Sequence, residues 1–414
     1  MRRVVITGMG AVSPFGVGAD ALWNSVKAGK SGIDTVTRID VSEMPTKVAA
    51  EVKDFDPSAF IEKKEIKRMD LFAQYALAAA MMAYGQSGLA MEDEDPTRAG
   101  VIIGSGIGGL ATFEDQHKVL LSRGPGRVSP FFIPMMIANI ASGQVAIQFG
   151  MKGFNESVNT ACSSATNAIG DAFRVIRDGR ADIMLAGGSE AAVTPIAFAG
   201  FCSMKAMTTN PDPLTASRPF DLNRSGFVLG EGAGIFVLEE YERARSRGAP
   251  IVAEIIGYGC TNDAFHIVAP AEGGEGAMRC MKLALDDAGV TPEQVGYINA
   301  HGTSTEYNDK YETNAIKLVF GDHARKLGIS SSKSMTGHLL GATGAIEAMI
   351  TCYALNEGFL PPTINYNTPD PECDLDYVVN TGRPVQGLNC AISNTFGFGG
   401  HNATIVLKKC GEAQ

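Results

Sequence analysis

The order of strand-like and helix-like segments in the first part of the chain recurs in the second, and no single motif constrains the fold as much. RVVITGMG (3–10) is echoed by IVAEIIGYG (251–259), and GVIIGSGIG (100–108) by VGYINAHGT (295–303). The small-residue run NTACSSATNAIGDAF (159–173) is echoed by KSMTGHLLGATGAIEAM (333–349), and AGIFVLEE (233–240) by NATIVLKK (402–409). Identities are few but the order is kept. The chain therefore reads as two similar halves, 1–250 and 251–411, meeting at the polar Gly/Pro turn ARSRGAP. In the first half, strands are expected at Arg3–Gly8, Gly100–Gly104, Glu156–Thr160, Ile183–Gly187 and Gly234–Glu239. Helices are expected at Ala21–Lys30, at Met69–Gly85 and from about Cys162. Strands alternating with helices imply an α/β fold in layers, duplicated here.

Composition narrows the function. At 414 residues with 45% hydrophobic and 19% charged, the chain can bury a large core, which excludes a disordered tail or a coiled coil. A formal net charge of −10 argues against nucleic acid or an anionic membrane as the main partner. No run of about 18 apolar residues offers a membrane span. The Arg-Arg start followed by VVITGMG loosely resembles a secretion signal, but Thr7, Gly8 and Gly10 break it, and it reads better as a strand and turn. Eight cysteines (162, 202, 260, 280, 352, 373, 390 and 410) include no C-x-x-C pair, so zinc and thioredoxin-type readings fail. Free thiols in a reducing cytoplasm are expected, with room for one reactive cysteine.

Two motifs point nowhere. Gly104–Gly109 (GSGIGG) fits G-x-G-x-x-G after a strand, but SRGPGRVSPFF stands where a dinucleotide fold would continue into helix and strand. GGSEA (187–191) lacks the last glycine of a hydrolase elbow. Three other places carry chemistry. Cys162 follows a strand-like run and opens a helix of small residues. There the helix dipole is expected to lower the thiol pKa, and backbone N–H groups can hold an oxyanion. A buried structural thiol is the equal alternative from position alone. His301 ends the strand-like GYINA among the hydroxyls of Thr303, Ser304 and Thr305. His338 precedes another small-residue helix, a place that keeps an imidazole neutral, with Lys333 and Glu347 nearby in sequence. NTFGFGGHNA (394–403) holds glycines that permit close approach of backbone to a ligand.

Taken together, TACSS, AGGSEA, SRPFD, GFVLGEGAG, NAHGTST, KSMTGHLLGATGA and NTFGFGG, in this order along essentially the whole chain, resemble the thiolase-fold condensing enzymes. Among them the chain is most similar to the elongating β-ketoacyl-acyl-carrier-protein synthases, type II, of bacterial fatty acid synthesis. KDFDPSAFIEKKEIKRMD also looks more like type II than type I. The resemblance implies a thiolase-like fold of two αβαβα-layered halves and a cytoplasmic homodimer. Cys162 is then the nucleophile, His301 and His338 a pair of neutral donors, Lys333 their electrostatic support, and Phe398 part of a glycine-rich gate. It implies an acyl pocket formed by Ile107, Phe132, Met135 and Phe201. Thr303 and Thr305 would bind a phosphopantetheine arm that arrives on an acyl carrier protein. Neither metal nor bound cofactor is implied.

Carrier proteins are acidic while this chain is net negative, so a local basic patch is required. Lys63, Lys64, Lys67 and Arg68 are its candidates. Two positions depart from the family pattern: Glu306-Tyr307 follows HGTST where many members carry proline, and His401 stands where some have threonine. Three rivals remain. A non-catalytic chain-length partner would lack Cys162. A degradative thiolase would need a second cysteine near the C-terminus, which NTFGFGGHNA does not hold. The nearest rival is a type I or polyketide-type condensing enzyme.

Overall fold

The computed structural model describes residues 1–410; Gly411, the last position of the second half read from sequence, lies outside the described residues with 412–414. Five strands of the first half are β1 (Val4–Ser13), β2 (Ala99–Gly104), β3 (Asn155–Val158), β4 (Ile183–Glu190) and β5 (Gly232–Glu240). Five of the second are β6 (Ala253–Asn262), β7 (Tyr297–Asn299), β8 (Gly328–Ser330), β9 (Cys390–Gly397) and β10 (His401–Lys408). They run side by side as β8-β7-β9-β10-β6-β1-β5-β4-β2-β3, an eleven-stranded sheet once the short strand Gly16–Val17 beside β1 is included. Read from the centre outward, the halves mirror each other. The central strands β1 and β6 are antiparallel, with Val5 opposite Glu254. β5 and β4 on one side, and β10 and β9 on the other, join antiparallel; the outer pairs are parallel.

Four helices complete the layers: α1 (Leu71–Ser87), α2 (Ser164–Arg177), α3 (Glu275–Ala288) and α4 (Thr343–Glu357). α1 covers β1 and β5 from outside, and α3 covers β6 and β10. α2 and α4 pack on each other between the two half-sheets, so both are buried over most of their length. This explains why β1 is buried at all ten residues rather than at every second one.

The echoed G-x-G of β1 and β6 also has a physical cause. A Cβ on Gly8 would lie 2.0 Å from the Ala83 carbonyl of α1, and one on Gly257 would lie 2.4 Å from that of Ala284 in α3. The outer helices rest directly on strand backbone at equivalent places.

The structure moves several expected boundaries. α1 begins two residues late because Asp70 caps it, accepting from the Phe72 N–H, and it ends at Gly88 (φ 62°), not Gly85. β1 runs through Gly8 and Gly10 to Ser13. The largest difference follows GSGIGG, where a helix does open, Leu110–Arg123. It stops at Gly124 (φ 81°), so the Gly/Pro run comes after this helix instead of replacing it.

Candidate active site

A cavity of about 640 Å³ opens where the two halves meet, beyond the carboxyl ends of β2 and β3 from one half and of β7 and β9 from the other. Cys162 lies on the single turn Ala161–Ser163 between β3 and α2. Ala161 is left-handed (φ 50°), a strained conformation for a residue with a side chain, and it lets the chain leave the strand sharply and aim Cys162 into the cavity. Leu340 (φ 47°) makes the same turn before α4, just after His338.

The Cys162 sulfur lies 3.0 Å from Nε2 of His338, whose Nδ1 lies 3.0 Å from the Thr343 hydroxyl. Backbone N–H groups of Phe398 and of Cys162 itself favour the thiolate. Here the structure corrects the expected low thiol pKa. Cys162 is only 6% exposed, and burial pushes the thiol up to about 12 against the opposing pull of Lys333 and those two N–H groups. The helix start orients the sulfur but does not outweigh desolvation.

The His301 and His338 rings meet edge to face with centroids 5.4 Å apart. His301 is anchored through its backbone. Its N–H donates to Glu312 at 2.9 Å, the Gly302 N–H donates to the same carboxylate at 2.8 Å, and Nδ1 has no partner among the described residues. Burial holds both imidazoles well below the ordinary histidine range, with the Lys333 charge adding to the effect. Both rings are neutral near pH 7. Lys333 is buried and paired with Glu347 at 2.5 Å. Burial pushes Glu347 up to about 7 despite that partner.

Of the other expected residues, Ile107, Phe201, Thr303, Thr305 and Phe398 line the cavity. The Thr303 and Thr305 hydroxyls bond each other at 2.9 Å. Phe132 and Met135 do not line it in the single chain; they sit half-buried on the short helix Phe132–Met136. Lys63, Lys64, Lys67 and Arg68 are exposed, on and just after the short helix Lys63–Ile66. Glu62 and Glu65 pair with Lys64 and Arg68, so the patch is less positive than its four cations suggest. After HGTST the chain enters the helix Glu306–Phe320 directly, and Arg224 holds that entry by donating to the carbonyls of Thr305 and Glu306. His401 opens β10, and its side chain does not line the cavity.

Sequence reasoning missed several residues. Phe227 stands edge-on to His338 and Phe396 edge-on to His301, lying in GFVLGEGAG and NTFGFGG without any local signal of their role. Glu312 sits a helical turn and more beyond HGTST. Glu190 lies in the discarded GGSEA; its carboxylate accepts from the N–H groups of Gly106 and Ile107. Among the described residues no three His, Cys, Asp or Glu side chains cluster to hold a metal ion. The buried oxygens of Asn299 and Ser393, register partners on β7 and β9, and Oε2 of Glu347 have no hydrogen-bond partner among the described residues and are the atoms that could take a water or a hard cation.

Models of the beta-ketoacyl synthase N-terminal domain and C-terminal domain match residues 1–244 and 252–367. The chain belongs to the beta-ketoacyl synthase family. It is 52% identical over 409 residues to a 3-oxoacyl-acyl-carrier-protein synthase 2 of Synechocystis, covering 99% of this chain and 98% of that one. It is 52% identical over 408 residues to the protein of the same name from Staphylococcus aureus, with the same coverage. Among solved structures it superposes on a beta-ketoacyl synthase of Burkholderia phymatum with a TM-score of 0.92 at 36% identity, covering 99% of this chain and 100% of the other. The ketosynthase and chain length factor of ishigamide synthesis gives 0.93 at 38%, with the same coverage. The fold is thus the layered thiolase-like one of the ketosynthases, and the chain is a condensing acyltransferase of this family.

Proposed function

We propose that this chain elongates fatty acids by decarboxylative Claisen condensation, joining a Cys162-bound acyl group to malonyl carrier protein to give a 3-oxoacyl carrier two carbons longer. The observation that carries the reading is the thiol of Cys162, 3.0 Å from Nε2 of His338, in a cavity that His301 and Phe398 also line. Because burial keeps the thiol neutral at rest, attack on the acyl thioester needs an acceptor for its proton, and Nε2 of His338 is in reach. His338 holds a proton poorly in this buried site and passes it to the departing phosphopantetheine thiolate. The exchange leaves acyl-Cys162, a free carrier thiol and a neutral histidine. The Thr343 hydroxyl can donate to Nδ1 or accept from it, so it supports either tautomer.

Malonyl carrier then enters. His301 and His338 donate neutral N–H groups to the thioester oxygen as carbon dioxide leaves, stabilising an enolate. The enolate carbon attacks the acyl-Cys162 carbonyl, whose oxygen is held by the N–H groups of Cys162 and Phe398. Collapse expels the Cys162 thiolate, which takes a proton from solvent. Lys333, paired with Glu347, keeps both imidazoles neutral. Decarboxylation drives the step, so no metal or resident cofactor is needed; the phosphopantetheine arm comes with the carrier and passes Thr303 and Thr305. The acyl chain runs past Ile107 and Phe201.

The same reading makes the acyl carrier protein the partner, docking at Lys63, Lys64, Lys67 and Arg68. A ketosynthase of polyketide synthesis with a solved structure, 36% identical to this chain, is in complex with its acyl-carrier protein. Identity of 52% to a 3-oxoacyl-acyl-carrier-protein synthase 2 against 36% to a ketosynthase of polyketide synthesis favours fatty acid synthesis. A homodimer is supported by exposed Leu121 and Ile133 and by exposed Ile147, whose helix packs on the edge strand β3. Free cysteines throughout support a cytoplasmic setting; no helix of the described residues is long and apolar enough to cross a membrane.

Mass spectrometry after incubation with acyl carrier tests the reading. The wild type should gain an acyl group on Cys162, and folded Cys162→Ala should gain none. An adduct that persists in the variant, or maps to another cysteine, overturns the assignment.

A further inference from the structure

Glu190 ends β4 with its side chain fully buried, and among the described residues it makes no ion pair. Its carboxylate instead collects four donors. Oε2 accepts from the N–H groups of Gly106 at 2.7 Å and Gly341 at 3.0 Å. Oε1 accepts from the Ser105 hydroxyl at 3.1 Å and the Ile107 N–H at 3.2 Å. Three of the donors lie on the loop after β2, and the fourth lies on the turn between His338 and α4 in the other half. Both glycines are shaped for this carboxylate, since a Cβ on either would lie 2.7 Å from Oε2. The backbone N–H groups of G-x-G-x-x-G loops cradle the phosphates of dinucleotides. Here an internal carboxylate fills the cradle, which is a physical reason the motif binds no nucleotide. Burial pushes the Glu190 carboxyl above its ordinary range while the four donors pull it back, and four N–H and O–H groups converging on two oxygens call for the ionised acceptor.

We propose that Glu190 is a positioning residue for acyl-chain selection, fixing the loop that carries Ile107 against the turn that follows His338 and so setting how much of the pocket the Ile107 side chain blocks. The proposal rests on the reading above, in which the acyl chain passes Ile107. Ile107 is 38% exposed in the single chain, so side-chain packing alone does not hold it in place. Its backbone N–H to Glu190, with the Gly106 N–H and the Ser105 hydroxyl, does. Replacing the carboxylate by an amide puts an N–H₂ where two donors already converge, and the joint must open on one side.

The experiment measures acylation of Cys162 by short, medium and long acyl carriers in wild type, Glu190→Gln, Ile107→Ala and the double variant, with malonyl decarboxylation as a readout independent of acyl length. Glu190→Gln should flatten the length profile, moving the ratio of long- to short-chain kcat/KM by roughly tenfold. In the Ile107→Ala background the same substitution should move the ratio no further. A uniform fall at all lengths, as a merely structural role predicts, overturns the proposal. So does additivity in the double variant, or an unchanged profile. If Glu190→Gln does not fold, Ser105→Ala removes one donor of the four and should shift the ratio the same way by less; an unmoved ratio there also overturns it. Absence of acylation in the wild type would be failure of the functional reading itself, which is a different result.

Discussion

The two halves share one scaffold and use it for different ends. In the first, β3 leads through a left-handed Ala161 and the turn Ala161–Ser163 into α2; in the second, a left-handed Leu340 and the turn Leu340–Ala342 lead into α4. Counting from these turns, Gly341 stands where Cys162 does, and Asn159 where His338 does. Two residues past the ends of β2 and β7, Gly106 stands where His301 does. The active site has Cys162, His301 and His338 around an open cavity. The equivalent place in the other direction has Gly341 and Gly106 in backbone contact, closed by the Glu190 carboxylate. Duplication supplied two sharp turns at two helix starts. One was kept open for chemistry and the other was filled to hold the first in place. The segment 331–337, which carries Lys333, has no counterpart between β3 and Asn159, so the buried ion pair belongs to the open side alone.

Removing that pair should have the largest effect. Lys333→Met leaves Glu347 buried without its cation, a change that costs about 3–5 kcal/mol. The sign with pH follows from Glu347. Its carboxyl already sits near 7 and rises further once Lys333 is gone. The variant is therefore least destabilised at mildly acidic pH, where Glu347 is neutral, and loses stability as pH rises above the ordinary carboxylate range. Urea unfolding at mildly acidic and mildly alkaline pH checks this; a loss independent of pH would remove Glu347 from the account. Loss of the Lys333 charge should also raise the pKa of His301 and His338, moving the acid limb of the decarboxylation profile to higher pH.

The next effect separates the histidines from the thiol. His301→Ala and His338→Ala each delete one donor to the enolate, and decarboxylation of malonyl carrier should fall by about 10²–10³. His301→Ala should keep most Cys162 acylation, because the thiol faces His338; His338→Ala should slow acylation as well. Carbon dioxide release at the wild-type rate from either variant would refute the donor role.

The comparison also separates what the sequence made legible from what it hid. The recurring strand–glycine–helix order carried the layered α/β fold, and Cys162, His301 and His338 stood out because each begins or ends an element beside small residues. Phe132 and Met135 were placed in the pocket by resemblance, yet the single chain keeps them on a separate half-buried helix. The expected low thiol pKa failed because it took the helix start as the whole environment. The burial of Cys162 depends on the His338 turn, which arrives from 176 residues away in sequence. Glu190 was hidden for the same reason. GGSEA was judged as a nucleophile motif, while its meaning lies in donors 84 and 151 residues distant.

A smaller effect tests the closed side. Gly341→Ala puts a Cβ 2.3 Å from the Gly106 nitrogen, and backbone on both sides gives little room. It should cost about 1–3 kcal/mol by overpacking, whereas Cys162→Ala at the equivalent open position should leave the urea midpoint nearly unchanged. Equal midpoints for wild type and Gly341→Ala would mean that the two turns are not related as argued.

The smallest effect concerns where the carrier lands, and it too divides the halves. The segment before α1 carries Lys63, Lys64, Lys67 and Arg68, while the segment before α3 carries Asp263 and Glu272, with Glu275 opening the helix. Only the first suits an acidic partner. Lys64 and Lys67 are exposed, and Lys64 is partly satisfied by Glu62, so each contributes through the field met by an approaching carrier, not through a buried bond. Reversing both, Lys64→Glu with Lys67→Glu, should raise KM for carrier-borne substrates by roughly three- to tenfold at low salt and flatten the salt dependence, with kcat little changed. Acylation by a small thioester, which needs no docking, should be untouched. Glu272→Lys in the other half should leave KM where it is. A rise in KM from Glu272→Lys as large as that from the lysine reversals would move the docking surface across the molecule, and equal losses with carrier and small thioester would point to a folding defect in place of a lost docking surface.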